Sequence, residues 1–162
     1  YYGILSKLQL SDDEVATIMG HEAAHALLEH AREQMGKSMA TTGVLRMGAA
    51  VLGLGSLGDV AAQVGSNLLS LKFSRSDESE ADALGLVMAA RAGYDPRAGV
   101  SLWKKMMAAS SGRGGPAFLS THPAGQDRIA DIEGRLARVL PEYEAAAKPA
   151  RRFGPPAPPK QG

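Results

Sequence analysis

Two of the four histidines in this 162-residue sequence flank a glutamate, in His21-Glu22-Ala23-Ala24-His25. Residues four apart on a helix share one face, so both imidazoles can reach a single divalent ion. Glu22 sits one residue from His21 and points to the side of that face. There it can take a proton from a water activated at the metal without becoming a ligand itself. Two neutral nitrogens and a nearby carboxylate base are the parts of metal-assisted hydrolysis. The bland alternative, a chance match, leaves a His-Glu-His group mid-helix with no use for it, and burying such a group for stability alone is costly.

Two nitrogens do not complete such a site, because a catalytic zinc keeps three protein ligands and one open position. The sequence has no cysteine, so the third ligand must be a histidine or a carboxylate. The candidates are His30, Glu78, Glu80 and His122. Glu78 and Glu80 lie two apart in Ser74-Arg75-Ser76-Asp77-Glu78-Ser79-Glu80-Ala81-Asp82, and on a helix they cannot both face the metal. Glu78 shares its face with Asp82, and nearly with Ala81, Gly85 and Ala89, small residues that let this helix approach the first closely. Glu80 points away. Geometry therefore selects Glu78. Asp82, one turn on, can accept an N–H from a ligating imidazole and orient it. Asp77 and Glu80 read as a solvated helix start. The expected cofactor is one Zn²⁺ per chain on His21, His25 and Glu78, with Co²⁺ or Mn²⁺ able to substitute.

Helices must position these groups. Ser11 and Glu14 form a capping box that opens a helix running to about Met35, with Gly36 as its stop. A second helix is expected over Asp77–Arg91, ending at Gly93, and a third from Asp95-Pro96. The latter carries Trp103 as a core residue. Thr121-His122-Pro123 follows the glycine-rich loop Ser110–Pro116 and opens a last helix, with Ile129, Ile132, Leu136 and Val139 on its buried face. Residues 38–72 are rich in Ala, Gly and Leu. Their uncharged run Met47–Gly58, flanked by Arg46 and Asp59, is too short for a membrane span, which needs roughly 20 residues. The stretch reads equally as a mobile, hairpin-like insertion or as a buried helix pair. Tyr1–Leu5 could be the end of a strand.

Composition agrees with one helical domain. The apolar share is 44% and the aromatic share 5%, which favours closely packed helices over a sandwich. The fold expected is mainly α, or α+β if the short edge strand is present. The net charge of +1 forces no nucleic-acid reading. Four of the basic residues, Lys148, Arg151, Arg152 and Lys160, fall in a proline-rich segment without acids. The rest of the chain therefore holds 14 bases against 17 acids. Residues 1–147 read as the folded domain and 148–162 as a disordered basic tail.

Taken together, the HEAAH motif, Ser-Arg-x-x-Glu-x-Glu-Ala-Asp-x-x-Gly at 74–85 and Thr-His-Pro-x-x-x-x-Arg at 121–128 resemble the M48 peptidases, most closely their bacterial periplasmic members. The resemblance covers about residues 1–145 and rests on three motifs in order. It implies a zincin-like gluzincin: a zinc endopeptidase acting on unfolded or misfolded envelope polypeptides, in the periplasm or at the periplasmic face of the outer membrane, with the cytoplasm left open. It also implies an active-site role for His122 at the zinc, and places Arg128 nearby as a structural or substrate-facing residue. Two departures stand out. Some branches of the family carry membrane spans, and none is read here. Zincins also place a substrate-binding edge strand before the motif helix, and only Tyr1–Leu5 is left to supply one. The expectation is thus a domain lacking an upstream part, through which membrane association could arise. The alternative function is a latent or chaperone-like polypeptide-binding module in which His122 fills the open zinc position. A third is a purely structural zinc site with four permanent protein ligands.

Overall fold

The computed structural model describes residues 2–37, 40, 43, 73–110 and 117–157. Among them every regular element is helical: α1 (Tyr2–Lys7), α2 (Asp12–Leu27), α3 (Arg75–Arg91), α4 (Ala98–Ser110), a 3-10 turn (Ala117–Ser120) and α5 (Gln126–Ala145). Helical backbone also resumes over residues 30–37 after α2. No strand occurs among the described residues, so the fold is mainly α. The expected edge strand at Tyr1–Leu5 is corrected: its described residues lie in α1. Ile4, Leu5 and Leu8 have helical spacing and pack against the core, which a two-faced strand could not achieve with them.

The caps explain where the helices begin. Ser11 accepts from the Glu14 amide while Glu14 Oε2 accepts from the Ser11 amide at 2.8 Å, a complete capping box. Ser74 and Asp77 do the same for α3. Asp77 is therefore not the solvated acid expected: it is 7% exposed and also accepts from Gln34 Nε2 at 2.8 Å. α3 ends as anticipated, with Gly93 at φ 84°.

Three boundaries differ from the sequence reading. α2 stops at Leu27 instead of continuing to Met35, because Glu29 takes a left-handed conformation at φ 54° and breaks the helix. α4 starts at Ala98, with the Asp95 carboxylate accepting from the Arg97 amide at 2.9 Å one turn earlier. α5 starts at Gln126, so Thr121-His122-Pro123 forms the bend before it and not its first turn.

The core is built from Leu86 and Ala90 of α3, Leu102, Trp103 and Met106 of α4, and Ile129, Ile132 and Val139 of α5, closed by Leu10. Burying each large side chain stabilises the fold by roughly 1.5–3 kcal/mol. α2 and α3 approach until their backbones touch: a Cβ added at Gly85 would lie 2.7 Å from the His21 amide nitrogen. The small face foreseen for α3 thus has its expected effect. The insertion at 38–72, residues 40 and 43 apart, and the glycine-rich loop after Ser110 lie outside the described residues. The described part of the basic tail is irregular and runs past the start of α2, where Arg152 pairs with Asp13 at 2.7 Å. No described helix is long and apolar enough to cross a membrane.

Candidate metal centre

His21 and His25 stand one turn apart on the buried side of α2, and Glu78 lies in the first turn of α3 directly across the contact made by the two glycines. The bend before α5 brings in His122. All four groups are buried, and one ligating atom from each falls within 4.8 Å of all the others. His21 Nε2 is 3.1 Å from His25 Nε2 and 3.2 Å from His122 Nδ1. Glu78 Oε1 is 2.8 Å from His122 Nδ1 and 3.3 Å from His25 Nε2. A tetrahedral ion with bonds of about 2.0–2.1 Å sets its ligand atoms about 3.3–3.4 Å apart. The observed separations, 2.8–3.3 Å, lie at or below that edge length, and three imidazoles with one carboxylate suit a divalent first-row metal. His30 and Glu80, the other candidates for ligands, do not belong to it.

A second layer of charge fixes the ligands. His21 directs Nε2 into the cluster, which leaves Nδ1 to donate to Asp82 Oδ1 at 2.9 Å. This is the contact foreseen for Asp82. Arg128 then clamps both carboxylates. Its Nη2 donates to Asp82 Oδ1 at 2.8 Å, its Nε bonds Asp82 Oδ2, and its Nη1 makes a short bond to Glu78 Oε2. The guanidinium lies 3.5 Å from the centre of the Trp103 ring, a cation–π contact. With a side chain only 9% exposed, Arg128 is placed to hold the carboxylates and not to face a substrate.

Protonation follows from these contacts. Burial pushes the His21 imidazole below its ordinary value, and the bond to Asp82 only partly restores it, so the ring is neutral and able to ligate at neutral pH. Burial alone would raise Glu78. The close imidazoles of His122 and His25 and the Arg128 charge overcome it and hold the carboxyl far below the usual range. Asp82 is likewise held down, against burial, by His21 and Arg128.

Glu22 occupies the rim. Its side chain is 50% exposed, and Oε1 sits 3.4 Å from His122 Nε2. It thus stays in contact with solvent while bordering the cluster. Sequence reasoning assigned no role to Phe73, whose ring stacks on His25 with centroids 4.0 Å apart. Nor did it see Trp103 as the platform under Arg128. Neither spacing carries a signal: Phe73 and Trp103 reach the site only through tertiary packing.

The comparisons with known proteins agree with this geometry. The profile of "Peptidase family M48" matches residues 1–136. The chain is 37% identical over 151 residues to the mitochondrial metalloendopeptidase OMA1 of Schizosaccharomyces pombe, covering 90% of this chain and 43% of that protein. It is 37% identical over 131 residues to the OMA1 of Arabidopsis thaliana, covering 79% and 25%. It is 29% identical over 143 residues to the β-barrel assembly-enhancing protease of Escherichia coli, covering 81% and 29%. The chain therefore spans less than half the length of these relatives. With the profile covering most of its length, the chain belongs to peptidase family M48 and carries the metallopeptidase domain of that family.

Proposed function

We propose that this domain is a zinc endopeptidase that hydrolyses peptide bonds of unfolded or misfolded polypeptides, with Glu22 as general base. The observation that carries the proposal is the buried group of His21, His25, Glu78 and His122 with the half-exposed Glu22 carboxylate on its rim. A zinc ion held by His21, His25 and Glu78 would supply Lewis acidity for the scissile carbonyl and for water. Glu22, half-exposed on the rim, would take a proton from the attacking water and pass it on to the departing amine. Asp82 and Arg128 keep His21 and Glu78 oriented through the reaction. A site in the bacterial envelope is supported by the relatives from Escherichia coli and Vibrio cholerae named for β-barrel assembly. The OMA1 relatives are named for mitochondria, so fractionation of the native host decides the compartment.

A second reading, latency, is favoured by one specific contact. His122 Nδ1 sits in the fourth corner of the cluster while its Nε2 faces Glu22. One imidazole thereby takes up the position a substrate needs and borders the base. His122 then acts as a gate, and the resting domain holds polypeptides without cutting them.

Casein cleavage by the zinc-loaded chain tests both. Glu22→Gln should keep zinc and lose about 10²–10⁴-fold in turnover. His122→Ala should cleave faster than wild type. Unchanged turnover in Glu22→Gln would sink the peptidase mechanism. A His122→Ala variant indistinguishable from wild type removes the gate.

A further inference from the structure

We infer that His30 is a positioning residue for the metal centre: it accepts the Nδ1 proton of His25 and so fixes the ring that aims Nε2 at the ion. The inference rests on the metal-site reading above and goes beyond it, because His30 is not a ligand.

The chain is shaped to deliver this contact. On an uninterrupted helix, residue 30 would stand about 140° around the axis from residue 25 and could not face it. Glu29 breaks the helix with φ at 54°, an uncommon conformation for a residue with a side chain, and His30 opens the next helical stretch pointing back toward the site. His30 is 3% exposed. Its Nδ1 lies 2.9 Å from His25 Nδ1, and its Nε2 lies 3.7 Å from Glu80 Oε2.

Counting protons settles the direction of the bond. His25 directs Nε2 into the cluster, 3.1 Å from His21 Nε2. That nitrogen must be bare to ligate, so a neutral His25 carries its proton on Nδ1. Nδ1 of His30 is then the acceptor and must be bare in turn. The His30 proton sits on Nε2, toward the Glu80 carboxylate. His30 thus does for His25 what Asp82 does for His21: each accepts the Nδ1 proton, at 2.9 Å in both cases. Phe73, stacked on His25, closes the remaining side of the ring.

The test uses the full chain and zinc alone, with affinity measured by competition against a chromogenic chelator. Outer partners of ligating histidines are typically worth 10–100-fold in affinity. His30→Leu should therefore weaken zinc binding about 10–100-fold with the helical circular dichroism retained. His30→Asn places an oxygen acceptor near the position of Nδ1 and should stay within about threefold of wild type. A His30→Leu chain that binds zinc like wild type overturns the inference, as does a His30→Asn chain as weak as His30→Leu. Long-range ¹H–¹⁵N spectra of zinc-loaded wild type supply a readout independent of any variant. They should show His25 protonated at Nδ1 and His30 at Nε2; a proton on Nδ1 of His30 overturns the inference. These readouts involve no turnover, so failure of the peptidase reading, seen as zinc binding without cleavage, remains a separate result.

Discussion

A carboxylate close to a histidine pair can be a ligand, a base or a bystander, and position along the helix sorts these roles. Glu78 and Glu80 differ by two residues and by nearly everything else: Glu78 is 5% exposed with four cationic or imidazole neighbours, whereas the Glu80 side chain is 60% exposed. Glu78→Gln should lower zinc affinity by more than tenfold, since a neutral amide replaces a charged donor and leaves Arg128 with one carboxylate in place of two. Glu80→Gln should cost far less. Chelator competition checks this, and a reversed order would reassign the third ligand. Much of the site was legible at this scale because each helix imposes its own angular rule. His21, His25, Glu78 and Asp82 all follow from spacing of three, four or two. His30 does not, because its contact depends on a left-handed residue that no glycine announces. Arg128 was legible only as a neighbour; that it lies between Trp103 and two carboxylates depends on how α4 and α5 pack.

At the scale of the helices, His21 and Glu78 come together because α2 and α3 touch backbone to backbone. Gly85→Ala puts this to the test. Alanine gains up to about 1 kcal/mol in helix propensity. Its Cβ would meet the His21 amide nitrogen at 2.7 Å and the Gly20 carbonyl carbon at 2.8 Å, neither of which can move without its helix. Overpacking of this kind costs about 1–3 kcal/mol, so the net effect is destabilising. The separation also draws His21 away from Glu78 and Asp82. Lower thermal stability and weaker zinc binding together are expected, and an alanine variant equal to wild type in both would show that the close approach is not needed. Helix caps were the most legible features of the fold, since Ser11–Glu14 and Gly93 act within a few residues of themselves. Tyr1–Leu5 was misread because a short apolar stretch fits either a strand or a helix until its packing partner is known.

A buried ionic cluster at the other end of α2 contributes to the acid stability. Glu14 is 2% exposed and accepts from the Ser11 amide, from Ser101 at 2.7 Å and from Lys105 at 2.7 Å. Burial alone would raise its carboxyl; Lys105, Ser11 and Ser101 outweigh burial and hold it below the ordinary 4.5. The folded chain therefore binds this proton less readily than the unfolded chain. The stabilisation is fully present above about pH 4.5 and is lost as the pH falls below it. Glu14→Gln removes the charge-assisted bonds and should cost about 1–3 kcal/mol at pH 7. Its stability should then fall less steeply than that of wild type between pH 5 and 3 (on the order of one carboxylate's titration). Urea midpoints across this range check the claim, and parallel curves for the two proteins would refute it.

For the whole molecule, the question is what the fold loses when the metal is removed. The core of Leu86, Leu102, Trp103, Met106 and Ile132 contains none of the candidate ligands. Arg128 also pairs with both Glu78 and Asp82 and offsets one of their two charges without help from a metal. A purely structural zinc site would be the main source of folding energy, and chelation would then unfold the chain. Here the metal should add to a domain that already folds. At free zinc about 1,000-fold above its dissociation constant the added stability is about 4 kcal/mol. For a domain of about 150 residues each kcal/mol shifts the melting point by about 2–4 °C, so EDTA should lower it by about 8–16 °C. The helical circular dichroism should remain at 25 °C, and zinc should restore the original melting point. Glu78→Gln should show little of this shift, while Glu22→Gln, which leaves the ligands intact, should show all of it. Loss of the helical signal at 25 °C on chelation would instead assign the centre a structural role and remove the basis for a gate at His122.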